Sequence, residues 1–117
     1  MPPRNETELL EQTIELAMLR GWRVTHVRPA RTDDGWRTPY QGHSGLPDLI
    51  LARRGQVLLA ELKSNGRRAK PTPDQQAWLA AAGGNGFLWR PTTWESEVIP
   101  TLTAPVAAAL DSPERAR

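Results

Sequence analysis

Apolar residues recur every three or four positions in ETELLEQTIELAML, residues 6–19, the spacing of one buried face of an α-helix. Asn5 in front supplies an oxygen for the first free amides, and Gly21 behind permits the turn out, so both helix ends are marked. At about 100° per residue, Leu9, Leu10, Thr13, Leu16 and Ala17 share the inward face with Glu6 near its middle, while Glu8, Glu11 and Glu15 lie opposite. WRVTHVR, 22–28, switches to alternation and β-formers and predicts a strand. PARTDDGWRTPYQGHSG, 29–45, is rich in turn formers without periodicity, which predicts a long loop; such loops in small domains are often functional.

Two continuous apolar runs, 47–52 and 56–63, flank Arg53, Arg54 and Gly55 and predict a hairpin buried on both faces. A polar basic loop follows at 64–70. TPDQQAWLAAA, 72–82, carries a full helix start, with Thr72 as cap, Pro73 in the first position and Gln75 where a capping box takes Glu or Gln. Gly83, Gly84 and Gly86 stop it. GFLWR, 86–90, predicts a short strand and 93–102 a last helix. The order α-β-β-β-α-β-α calls for an α/β fold, a small mixed sheet flanked by helices. It is read as one domain over 1–102 with a flexible Ala/Pro-rich tail at 103–117.

Composition narrows the class. A chain of 117 residues suits one core, and 38% hydrophobic with 24% charged residues disfavours disorder. No apolar run is long enough to span a bilayer and the N-terminus lacks the apolar centre of a signal peptide, so a cytoplasmic protein without a membrane partner is expected. With zero cysteines, any metal must be held by oxygen or imidazole. The net charge of +2 says little, but basic residues cluster at Arg28, Arg31 and Arg37, at Arg53 and Arg54, and at Arg67, Arg68 and Lys70. These are either phosphate-facing patches or solvated surface.

A tight turn at Arg54 and Gly55 pairs Arg53 with Gln56, Ile50 with Leu59 and Asp48 with Glu61. Directly opposed side chains lie about 5 Å apart, and like charges there repel. A divalent cation between the two carboxylates would offset the repulsion. Lys63 points to the same face as Glu61. Two carboxylates and an ammonium thus converge, with Glu6 as a fourth group or as a first-turn acid stabilised by the helix dipole. An ordinary buried salt bridge is the competing reading. Of the five tryptophans, Trp22, Trp78 and Trp89 fall in periodic elements and are expected in the core. Trp36 lies in the long loop with Arg31, Arg37 and Tyr40, where aromatic and basic groups grip nucleic acid. His43 precedes the second strand and is either near the reacting bond or solvated. His26 shares a face with Val24 and is assigned no catalytic role.

GLPD at 45–48 followed by Glu61-Leu62-Lys63 resembles the PD-(D/E)XK nuclease signature, whose core has the order αβββαβ. Within that superfamily the chain is similar to stand-alone VRR-NUC (virus-type replication-repair nuclease) domains, over 6–102, through GLPDL, AELKS, TPDQQAWL and LWRP. The resemblance implies a Mg²⁺- or Mn²⁺-dependent DNA endonuclease, a homodimer acting on branched or four-way junction DNA. It implies metal ligation by Asp48, Glu61 and the Leu62 carbonyl, with Glu6 binding through water or holding a second ion. Lys63 would orient or deprotonate the attacking water or stabilise the pentacovalent phosphorus. Gln75 matches the family's glutamine that reaches the active site, and the capping box explains it equally. DNA contacts are expected from Arg31, Trp36, Arg37, Tyr40, His43, Arg67, Arg68 and Lys70. The alternative is a catalytically silent binding or interaction module of a phage replication or repair complex.

Overall fold

Helix α1, Glu6–Leu19, starts where expected: the Asn5 side chain accepts the Glu8 amide at 2.9 Å. The chain leaves it through Gly21, whose φ of +84° is left-handed and costs a glycine little. Leu9, Thr13 and Ala17 are buried and Leu10, Ile14 and Leu16 pack against the core, so the inward face follows the helical spacing. The computed structural model describes residues 1–105; the tail expected at 103–117 lies outside the described residues from position 106 onward.

Strands β1 (Arg23–His26), β4 (Leu49–Arg53), β5 (Gln56–Leu62) and β6 (Gly86–Trp89) form a mixed sheet in the order β1-β4-β5-β6, antiparallel except for the parallel β5–β6 pair. The parallel pair is reached through α2, Pro73–Ala82, as a crossover connection requires. Arg54 (φ +49°) and Gly55 (φ +86°) form the two-residue turn between β4 and β5. Two positive-φ positions match the twist of the flanking strands and fix the register, Arg53↔Gln56 through Leu49↔Ala60.

The expectation that this hairpin is buried on both faces holds for one face. Leu49, Leu51, Leu58, Ala60 and Leu62 are fully covered and join Leu9, Ala17, Trp22, Trp89, Val98 and Leu102 in the core. On the other face Ile50 and Leu59 are half-buried and Val57 is exposed. Helix α2 packs against β5 and β6, and a Cβ on Gly86 would meet the Leu79 carbonyl at 2.6 Å. Trp22 and Trp89 are buried, but Trp78 is half-buried, its indole N–H donating to the Ser44 carbonyl at 2.9 Å.

Two further corrections concern local structure. The stretch 29–45 contains a second sheet, the hairpin of β2 (Ala30–Thr32) and β3 (Gly35–Arg37). The last helix is broken into a 3₁₀ turn at Pro91–Thr93, a π-helical turn at Trp94–Val98 and a short α3, Ile99–Thr103. Pro100 has no N–H for the carbonyl four residues back, so the helix restarts with proline in its first turn.

At the far end of the β4–β5 hairpin, Arg53 ties three chain segments together. Its guanidinium donates to the Arg20 carbonyl (3.0 Å), the Leu102 carbonyl (3.3 Å) and the Ala104 carbonyl (2.6 Å), and lies 4.4 Å above the Trp22 ring. The carbonyl-rich ends of α1 and α3 share one cation, the charge that a helix C-terminus favours. Arg53 is thereby a structural residue, separated from the basic cluster in which its neighbour Arg54 also stands.

Candidate functional site

The register places Asp48, one residue before β4, opposite Glu61 on β5. Backbone bonds fix this position. The Asp48 carbonyl accepts the Val27 amide at 2.7 Å, and the carboxylate Oδ2 accepts the Leu62 amide at 2.8 Å. Upstream, Ser44 donates to the Asp74 carboxylate at 2.8 Å while Trp78 holds its carbonyl. Gly45, at φ +88°, lies so close to the start of α2 that an added Cβ would meet the Asp74 Cβ at 2.5 Å. The GLPD stretch is therefore pinned at both ends, and its glycine answers to a close approach as well as to backbone conformation.

Glu61 is 1% exposed. Its Oε2 lies 3.2 Å from the Lys63 Nζ, whose side chain is 21% exposed, and its Oε1 is buried with no hydrogen-bond partner. Strand alternation puts both on the face of Ile50, Val57 and Leu59. Beyond β5 the Lys63 amide donates to the Trp89 carbonyl at 3.0 Å, so backbone pairing carries on past the strand end and holds the lysine in line. Burial, then the neighbouring Asp48 charge, push the Glu61 carboxyl up to about 7 from an ordinary 4.5; Lys63 and the Asp48 amide pull it down without prevailing. A carboxylate with one bare oxygen beside a second carboxylate fits a hard divalent cation, which takes oxygen ligands and would relieve both the bare lone pairs and the like-charge contact.

The structure joins Asp48, Glu61 and Lys63, with Leu62 between the last two and its amide on Asp48. Glu6 is exposed in the first turn of α1 rather than buried with Leu9 and Thr13. Among the described residues no three carboxylate or imidazole side chains form a metal-sized group. Gln75 is engaged in the capping box, its Oε1 accepting the Thr72 amide at 2.9 Å and its own amide donating to the Thr72 hydroxyl at 3.2 Å. The Leu62 amide serves Asp48. His43 is exposed and lines a cleft of about 270 Å³ with Asp74, Ala77, Trp78 and Ala81. Arg67, Arg68 and Lys70 are exposed after β5, and Arg31, Trp36, Arg37 and Tyr40 are exposed on and after the β2–β3 hairpin. His26 stands opposite Leu49 on β1.

The clamp of Ser44, Asp74 and Trp78 and the Leu62 amide escape a reading of the sequence. Only Gly45 before Leu-Pro hinted at the close approach. No protein-family model, curated protein or solved structure compared with this chain matches it.

Proposed function

We propose that Asp48, Glu61 and Lys63 form the cutting site of a metal-dependent endonuclease acting on DNA phosphodiesters, the activity implied by the likeness of GLPD and ELK to VRR-NUC domains. The observation that carries this reading is the buried, half-unpartnered Glu61 carboxylate beside Asp48. A buried ion pair contributes little to stability, and a strongly perturbed carboxyl flanked by a specific charge is a mark of functional sites.

Asp48 and Glu61 would hold Mg²⁺ or Mn²⁺, which when bound supplies a nucleophilic water at neutral pH and offsets charge on the phosphate. Lys63, partly exposed and anchored on Glu61, orients that water or stabilises the crowded phosphorus. The Leu62 amide and the Ser44 clamp keep the Asp48 carboxylate aimed at Glu61. Two opposed cuts in a branched DNA need two sites related by symmetry, so the working form is a homodimer. No helix among the described residues is long and apolar enough to cross a membrane.

The test is incubation of the purified protein with labelled linear, flapped and four-way DNA, with and without Mg²⁺ or Mn²⁺, beside Glu61→Ala and Lys63→Ala. Metal-dependent cutting lost in both variants is the expected result. Binding without cutting by the native protein supports a silent DNA-binding module instead.

A further inference from the structure

The β2–β3 hairpin adds nothing to the core. Five of its six residues are exposed and Gly35 is half-buried, it pairs with no strand of the main sheet, and a two-stranded ribbon alone is marginal in water. It nonetheless presents Trp36 at 65% exposure with the Arg31 guanidinium 5.7 Å from the ring centroid. The two residues stand directly opposite one another across the ribbon, so they occupy the same face. The arginine lies against the indole, and most of the tryptophan surface remains exposed. The Thr32 hydroxyl stiffens the tip by donating to the Gly35 carbonyl at 2.8 Å.

The roots of this hairpin lie at the acid site. The chain departs from β1 just after Val27, whose amide donates to the Asp48 carbonyl at 2.7 Å, and returns through Gly45 to Asp48 itself. Whatever the ribbon holds is therefore tethered to the backbone of the candidate cutting site. Charge along the ribbon is ordered: Arg28, Arg31 and Arg37 stand on the stem, and Asp33 and Asp34 occupy the turn. A polyanion is attracted along the stem and repelled at the tip.

We propose that the β2–β3 hairpin is a stacking arm for single-stranded DNA, in which an unpaired base stacks on the exposed ring of Trp36 and the flanking phosphates follow Arg31 and Arg37. A base inside a duplex has both faces covered by its neighbours, whereas an unpaired base offers a free face to an aromatic ring. The arm thus selects DNA with an unpaired segment next to the bond presented to Asp48 and Glu61. The proposal rests on the endonuclease reading for its choice of DNA as the polymer and for the bond placed at Asp48 and Glu61.

The test is equilibrium binding of fluorescein-labelled oligo-dT, with a blunt duplex and oligo-U as comparison probes, by anisotropy in EDTA so that no cutting intervenes. Native protein is compared with Trp36→Ala, Trp36→Phe and Arg31→Ala. The native chain is expected to bind oligo-dT more tightly than duplex. Trp36→Ala should weaken oligo-dT binding on the order of tenfold, the scale of one stacked base, Trp36→Phe should recover most of it, and duplex binding should stay unchanged. Arg31→Ala should weaken binding and lower its dependence on salt. Equal binding by the native protein and Trp36→Ala, or no preference for oligo-dT over duplex, overturns the proposal, as does tighter binding of oligo-U. If Trp36→Ala loses binding but no DNA is ever cut, the arm stands and the endonuclease reading fails. If cutting occurs while Trp36→Ala binds normally, the arm alone fails.

Discussion

Replacing Glu61 by glutamine separates a strained ligand from a stabilising ion pair, because the two readings predict opposite signs. The native carboxyl titrates at about 7 where an unfolded chain would titrate at 4.5. Between those values the folded protein keeps a proton that the unfolded chain has lost, so stability is full below pH 4.5 and declines as pH rises toward 7. At about 1.4 kcal/mol per pH unit the decline amounts to about 3 kcal/mol once pH exceeds both values. Glu61→Gln keeps the shape and removes the charge. In EDTA at pH 8 it should be more stable than the native protein by about 1–3 kcal/mol, the lower figure allowing for the stranded Lys63. At pH 4.5 the two should coincide. Urea unfolding from pH 4.5 to 9 reads the difference directly. Mg²⁺ added at pH 8 should raise the stability of the native protein and leave Glu61→Gln unmoved. Were the Glu61–Lys63 contact an ordinary buried ion pair, the variant would instead lose about 3–5 kcal/mol at pH 8, and that result would refute the reasoning.

Gly45→Ala places a methyl group 2.5 Å from the Asp74 Cβ at a positive φ; it should cost about 1–3 kcal/mol in thermal or urea melts and depress cutting, because the loop that carries Asp48 must shift. Gln75→Ala removes one arm of the capping box and should cost about 0.5–1 kcal/mol of stability with cutting unchanged under saturating metal; loss of activity would return Gln75 to the active site. Arg53→Ala forfeits three charge-assisted hydrogen bonds and the Trp22 stack and should lower the unfolding free energy by about 3 kcal/mol. Arg53→Lys should not restore it, since an ammonium lacks the planar fork.

What could be read in advance was the information that short-range rules fix. The hairpin turn at Arg54 and Gly55 sets the register, and the register alone places Asp48 across from Glu61. The capping box at Thr72 and Gln75 is likewise local, and it forms. Glu6 sits on the helical face the spacing assigns and is nonetheless exposed, since spacing alone does not tell which turn of that face is covered. The β2–β3 hairpin was hidden because its strands have three residues each and bury no apolar alternation; an Asp-Asp-Gly turn and one cation–aromatic pair hold its shape. The split of the last helix follows from Pro100, whose missing N–H the apolar spacing around it does not reveal.

The Arg53 clasp implies a division of labour along the β4–β5 ladder. Three carbonyls accept from Arg53 and hold the junction of Arg20, Leu102 and Ala104 closed at one pole. Some five residues away, a distance of about 17 Å along the strand, Glu61 gains and loses a proton near neutrality. Alkaline loosening should accordingly begin at one pole of the ladder while the other remains latched. Amide exchange at Leu62 and Lys63 should quicken with pH, after correction for the intrinsic rate, ahead of exchange at Trp22.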